Sequence, residues 1–326
     1  MSRVTLNYPL FDGEKIIENA SVTIENGIIT AVSEAESTNC DHLLMPGLID
    51  AHTHMTSAYQ ISDMLGSGVV ATCDVSAPRE LIENTTGLRI ISSAGMTMGT
   101  LNGRGYVKKA LEGGARYIKV LLFEPNLMPR TALRSICASA HEDDLKVAVH
   151  ATSVKAERMA IECGADILLH VPMKEELPES LAREIAERGI AVAPTLVMME
   201  AFAHSGKNGY LPEHYKNAED AVRTLHRCGA VLLAATDAND GSFAPAVAYG
   251  SSMHREAELL CKAGLTPIEV LTAATGKVGE VFGIDGLGSV AVGNRATLLL
   301  VNGRPDRDIT AIKRIKQIWI DGEQRS

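Results

Sequence analysis

The feature that most constrains this chain is a string of short, nearly all-apolar segments, most of which close on a polar residue. Between residues 46 and 237 they read "GLIDAHTH", "VVATCD", "LRIISS", "RYIKVLL", "KVAVH", "DILLH", "IAVAPT" and "VLLAATD". A strand that is apolar at successive positions is covered on both faces, which is the habit of parallel sheets packed under helices. Helical periodicity fills the intervals, clearest over 130–143, 153–163, 175–188 and 214–228. Eight βα units over about 190 residues predict an α/β chain folded as a (β/α)8, TIM-like barrel. A doubly wound open sheet is the rival, but no Gly-rich phosphate turn follows the first strand.

The two ends have a different character. Residues 1–45 alternate in β fashion, with "ENG" marking a hairpin, and the style returns in "GSVAVGNRATLLLVNG" and "IKRIKQIWIDGE". Residues 1–45 and 285–326 are therefore expected to pair into one small β-sandwich domain, leaving 46–284 for the barrel.

Bulk properties narrow the function classes. The formal net charge is −9 and no Lys/Arg block stands out, which argues against a nucleic-acid partner. Six separated cysteines, Cys40, Cys73, Cys137, Cys163, Cys228 and Cys261, read as reduced thiols. No apolar run approaches the ~20 residues a bilayer requires, and "MSRVTLNYPLFDGEK" lacks signal-peptide anatomy. The expectation is a cytoplasmic protein with a small-molecule substrate and no membrane partner.

In such a barrel, chemistry sits where the strands end. The first strand ends with His52 and His54, placed on one side by alternation; the fourth carries Lys119; the fifth, sixth and eighth end at His150, His170 and Asp237. Each has a structural alternative. A histidine can be a hydrogen-bonded rim residue, Lys119 can snorkel outwards, and Asp237 can form a turn or cap a helix. Convergence on one mouth favours chemistry, because unpaired buried polar groups are costly. Imidazole with carboxylate is a ligand set for zinc or a similar divalent ion.

The constellation resembles the amidohydrolase superfamily, on "PGLIDAHTH" (46–54), "IKV" (118–120), "VHATS" (149–153), "LLHV" (168–171) and "ATDA" (235–238), with the C-terminal "GSVAVGNRATLLLVNG" similar to the pair closing these enzymes' sandwich. By that resemblance His52, His54 and Asp237 would hold a buried metal ion, and His150 and His170 a more exposed one. Lys119 would bridge the two as a carbamate formed with carbon dioxide. The resemblance implies two divalent ions, zinc first among candidates, a bridging hydroxide as nucleophile, and Asp237 as the base that passes its proton to the leaving group.

The pattern favours a hydrolase of amide-type C–N bonds (dipeptide, N-acyl amino acid or cyclic amide) over a deaminase, since related deaminases lack the strand-four lysine. "HATS" and "GADILLHV" look closest to the metal-dependent dipeptidase and prolidase branch, which more often shows Glu-His-Gly where this chain has Leu169-His170-Val171. Only fourteen residues separate His54 from Val69, and "SAGMTMGTLNGRG" lacks the Gly-Gly-His often found there. The shorter rim suggests an open site or one completed by a neighbouring subunit, hence a homo-oligomer.

Substrate-contact candidates are Tyr59, Arg104, His204, Tyr210 and His254, all expected on loops, with "MMEAFAHSGKNGY" read as a loop that could act as a lid. Met55, Met173, Met198 and Met199 are candidates for an apolar wall or the core, and Asp74 for orienting a ligand. A lactone, carbamate or ester hydrolase on the same centre is the nearest alternative. A mononuclear deaminase and a non-catalytic scaffold follow.

Overall fold

The structure, a computed structural model, describes residues 3–36 and 41–325; Cys40 lies outside the described residues. It is an α/β fold. The eight expected strands are present as Leu48–Thr53, Val69–Asp74, Arg89–Ser92, Ile118–Leu121, Val147–His150, Ile167–Leu169, Ala191–Ala193 and Val231–Leu232. All neighbouring pairs run parallel, the first three in one sheet and the last five in another.

Backbone hydrogen bonds join the two sheets at both seams. The Arg116 N–H reaches the Ser92 carbonyl at 2.8 Å between the third and fourth strands. The eighth strand returns to the first through Ala51 N–H to Ala234 (3.0 Å), Asp237 N–H to His52 (2.8 Å) and His54 N–H to Ala238 (2.8 Å). Neither the first nor the eighth strand is a free edge, as each would be in an open doubly wound sheet.

Apolar side chains, many of them alanine, fill the inside of this ring, among them Ile49, Ala51, Ala71, Ala148, Ile167, Leu169, Ala191, Ala193, Leu233 and Ala235, with Val278 and Phe282 of helix Gly276–Phe282 packed on the same cluster. The larger cluster lies between strands and helices. Helices occupy Arg130–His141, Val154–Cys163, Glu179–Glu187 and Tyr215–Arg227, close to the expected spans. The third begins at Glu179 instead of 175, since Pro178 disfavours helical backbone in the residue before it.

Two expectations need correction. "MMEAFAHS" lies within a helix, Leu196–Ser205, whose apolar residues pack on the core, and only the segment after Gly206 is irregular. Of "GSVAVGNRATLLLVNG", only Leu298–Asn302 is a strand.

The chain ends together form a seven-stranded mixed sheet: Glu323–Arg325, Ile315–Ile320, Leu298–Asn302, His42–Pro46, Arg3–Phe11, Ile16–Glu25 and Ile28–Glu34, in that spatial order. Its own core joins Leu10, Val22 and Leu44 to Leu298, Leu300 and Trp319. The "ENG" hairpin forms, with Asn26 and Gly27 both at positive φ (52° and 83°) as a primed turn requires. A Cβ on Gly27 would also stand 2.3 Å from the Asp321 carbonyl oxygen, so the two hairpin tips touch only because the residue is glycine. No helix among the described residues is long and apolar enough to cross a membrane.

Candidate metal centre

The inward positions of the first strand are Ile49 and Ala51, so simple alternation would turn His52 outwards. A register irregularity between Asp50 and Thr53 shifts the phase. Thr53 then faces Thr72 (Oγ1 to Oγ1, 2.6 Å) and Asp74, while His52 and His54 turn into the mouth of the ring. Asp50 pins the displaced backbone, its carboxyl accepting from the His52 N–H (3.2 Å), the Thr236 N–H (3.0 Å) and the Thr236 hydroxyl (2.5 Å). Burial raises that carboxyl to about 7.

The other strands deliver their residues to the same place. Asp237 Oδ1 lies 3.1 Å from His54 Nε2 and 3.3 Å from His52 Nε2. Lys119 Nζ is 3.4 Å from His52 Nε2. The His170 ring lies 5.7 Å from that of His52 and 4.4 Å from that of His150. All six expected ligands therefore stand in one cluster, and three of them, His52, His54 and Asp237, bring ligand atoms within 4.8 Å of one another.

The donor set fits a divalent cation. Asp237 Oδ1 is buried and has no hydrogen-bond partner, an expensive state unless something positive sits against it. Burial, reinforced by Lys119 and neighbouring imidazoles, holds His52, His150 and His170 well below the usual histidine range. They are neutral rings with a lone pair to give. Lys119, buried in the same wall, is brought down to about 7 by desolvation, against the pull of Asp237.

Second partners orient the rings. Ser76 Oγ lies 2.8 Å from His54 Nδ1, and Thr195 Oγ1 lies 2.7 Å from His170 Nδ1. Asp74 builds the first of these contacts: its carboxylate accepts from the N–H groups of Met55 (2.6 Å), Ser76 (2.8 Å) and Ala77 (2.5 Å). Tyr249 donates to the His54 carbonyl at 2.6 Å. His170, Thr195 and Asp237 are three of the eight non-glycine residues with positive φ among the described residues, each a strain of about 1–3 kcal/mol that the surrounding packing must hold. Ser76, Thr195 and Tyr249 carried no sequence signal, since serine, threonine and tyrosine at loop positions are unremarkable by themselves.

Above the cluster opens a cavity of about 720 Å3 lined by His150, His170 and Asp237 together with Phe123, Lys174, Met199, Phe202 and Tyr210. Tyr210, an expected contact, belongs to it. Phe123 and Lys174 were missed because their loops give no pattern that shows which way they turn, and Phe202 because the sequence of its helix reads as a loop. Met199 lines the wall, while Met55, Met173 and Met198 are core.

Four other expected contacts are placed elsewhere. Arg104 lies in helix Gly103–Glu112, paired with Asp143 at 2.5 Å on the outer surface. His204 is exposed and bonds the Glu200 carbonyl of its own helix at 2.8 Å. His254 is spent on the Ser67 carbonyl at 2.9 Å. Tyr59 borders a separate concavity with Asn239 and Asp240. None of the four is among the residues lining the cavity over the histidines.

Comparison with known proteins agrees with this geometry. A sequence profile described as the amidohydrolase family matches residues 43–325. A curated adenine deaminase of Borreliella afzelii (strain PKo) is 37% identical over 92 residues, which is 26% of this chain and only 16% of that protein's length. A solved Xaa-Pro dipeptidase with methionine in its active site superposes at TM-score 0.83 with 19% identity, covering 100% of both chains. A provisionally identified prolidase from Bifidobacterium longum superposes at 0.81 with 25% identity, over 99% of this chain and 94% of that one.

Proposed function

From the premise that the chain belongs to the amidohydrolase family, as a hydrolase of C–N bonds with a His-His-Asp metal group, we propose a binuclear, metal-dependent hydrolase that cleaves an amide-type bond. Its substrate class is a dipeptide, an N-acyl amino acid or a cyclic amide. The frame we infer is a (β/α)8 barrel over 46–284, with a β-sandwich from 1–45 and 285–326, in a cytoplasmic and homo-oligomeric enzyme. The observation that carries the reading is the unpartnered Asp237 Oδ1, faced by the Nε2 atoms of His52 and His54 with the Lys119 amine beside them.

His52, His54 and Asp237 would hold one ion, and His150 and His170 the other. Lys119 would join them once its neutral amine has added to carbon dioxide and lost a proton, forming the anionic carbamate. When bound, such ions, with zinc the first candidate, lower the pKa of water and polarise a carbonyl oxygen. Asp237 takes the proton of the attacking water and returns it to the leaving nitrogen, so that the C–N bond breaks to an acid and an amine. Ser76 and Thr195 keep the Nδ1 atoms of His54 and His170 engaged, leaving each Nε2 for the ion. Phe123, Met199 and Phe202 provide an apolar seat for the acyl side chain.

The likeness to dipeptidase and prolidase structures supports the dipeptide end of this class. Lactone, carbamate or ester cleavage is the second reading, because the same centre attacks any suitable carbonyl. The local identity to an adenine deaminase keeps ammonia release as a measurable alternative. The test is a screen of dipeptides, N-acyl amino acids and lactones with zinc-loaded protein, with amine and ammonia measured separately. Ammonia as the sole product would replace this reading with a deaminase, and protein purifying with well under one ion per chain would point to a scaffold.

A further inference from the structure

Helix Leu196–Ser205 begins in an unusual way. Its N-cap residue, Thr195, sits in the left-handed region (φ 51°, ψ 49°), costly for a β-branched side chain, and makes no side-chain cap. The hydroxyl that would ordinarily satisfy the first turn is instead 2.7 Å from His170 Nδ1. The first turn is satisfied from elsewhere. Glu256, fully buried on helix Ser251–Lys262, accepts from the Leu196 N–H with Oε1 (3.0 Å) and from the Val197 N–H with Oε2 (2.7 Å). A carboxyl group at a helix N-terminus supplies acceptors to N–H groups that have no partner within the helix.

We propose that Glu256 is a positioning residue for His170: by taking over the cap, it locks Thr195 in its left-handed turn and frees the threonine hydroxyl to fix the imidazole. The chain of contact runs from the Glu256 carboxyl group through two backbone N–H groups to Thr195, and from the threonine hydroxyl to His170 Nδ1. With Nδ1 engaged as the donor, Nε2 is the nitrogen left to face the cluster. Without Glu256 both N–H groups lose their acceptor, and the Val197 N–H is the one that an N-cap hydroxyl can reach. The Thr195 hydroxyl then turns to the ordinary cap position and His170 loses its anchor. The inference rests on the reading of His170 as a metal ligand, and it adds a residue sixty positions further along the chain than the helix it caps.

The test uses full-length protein carrying Glu256→Gln, Glu256→Met or Thr195→Val. Zinc affinity is measured by competition with a chromogenic chelator. The tautomer of His170 is read from 15N-histidine NMR, its signal identified by its loss in His170→Gln. The expected result is a shift of His170 from one tautomer to a mixture in Glu256→Gln and Thr195→Val alike. The more weakly held ion loosens by about 10- to 100-fold, and the tightly held one changes by less than about twofold. Glu256→Met shows the larger effect; should it not fold, the other two variants decide. A lowered melting temperature in the Glu256 variants, with tautomer and both affinities at wild-type values, overturns the proposal and leaves a plain helix cap. If His170→Gln binds two ions as wild type does, the ligand reading of His170 falls instead, and the tautomer alone decides whether Glu256 sets the ring.

Discussion

Asp237 Oδ1 stands 3.1 Å from His54 Nε2, buried, with no N–H or O–H directed at it. Neither imidazole nitrogen that faces it can donate if both are to be metal ligands. The contact is therefore a cost in the empty protein and a gain once a cation lies between.

Asp237→Asn is accordingly expected to change sign with metal. In chelator-treated protein the variant melts at or above wild type, because an amide N–H can donate where the carboxylate oxygen could not. With zinc at a hundred times its Kd, wild type gains about 2.7 kcal/mol by linkage and the variant gains less. Turnover falls by about 10²- to 10⁴-fold, the scale of a lost general base. Calorimetry with and without zinc checks this, and equal zinc stabilisation of the two proteins would sink it.

Lys119→Met removes an amine that burial brings to about 7, close enough to neutral to react with carbon dioxide. The expected outcome is a fall from two bound ions to one and loss of most activity, about 100-fold or more. Arginine should not rescue it, since a permanent cation cannot bridge two others. Elemental analysis against protein concentration decides; two ions retained in the variant would remove Lys119 from the bridge.

Ser76→Ala deletes the hydroxyl 2.8 Å from His54 Nδ1 and leaves the ring free to rotate. Zinc affinity should weaken by about 10- to 100-fold with little change in melting temperature of the metal-free protein. Isothermal titration with zinc measures it, and an unchanged Kd would show that Tyr249 and the strand backbone hold the ring without the serine.

Glu157 lies in the first turns of helix Val154–Cys163, fully buried, with neither carboxyl oxygen partnered. Burial, and secondarily the charge of Glu175, push its pKa well above the model-compound value of 4.5. The sign follows from linkage. With the folded pKa raised, the protonated group's contribution to stability is complete below the unfolded value and is lost as pH climbs from there towards the folded one. Glu157→Met should stabilise the protein by about 1–3 kcal/mol at neutral pH, the cost of an unsatisfied buried polar group. The gain should be smaller near pH 4, where the carboxyl is neutral in the folded state and mostly neutral in the unfolded one. Urea unfolding at the two pH values provides the measurement, and a destabilised variant at pH 7 would mean the carboxyl has a partner in solution.

Much of the centre was legible because each parallel strand here is short and ends on one chemically distinctive residue. Lys119 sits in an apolar run, and His150, His170 and Asp237 stand where such runs stop. Arg104 and His204 show the limit of that reading. Both are good anion ligands by type, but Arg104 is held by Asp143, too far along the chain to leave a local pattern, and His204 by the Glu200 carbonyl of a helix whose sequence reads as a loop.

The run of eight apolar segments, and the polar residue closing most of them, determined by itself that this chain folds as an α/β protein with its candidate ligand side chains at strand ends. Burial of both strand faces is a local and additive demand, so composition and period suffice to express it. What only the tertiary structure decided is where those side chains point. Alternation from Ile49 and Ala51 turns His52 outwards until the irregularity before Thr53 reverses the phase, and His170 reaches the cluster through a backbone turned to φ 74°. Such turns are strained locally and are held only by contacts from distant segments, Asp50 on Thr236 and Thr195 on His170 among them. Their energy belongs to the assembled fold, and no stretch of sequence carries it alone.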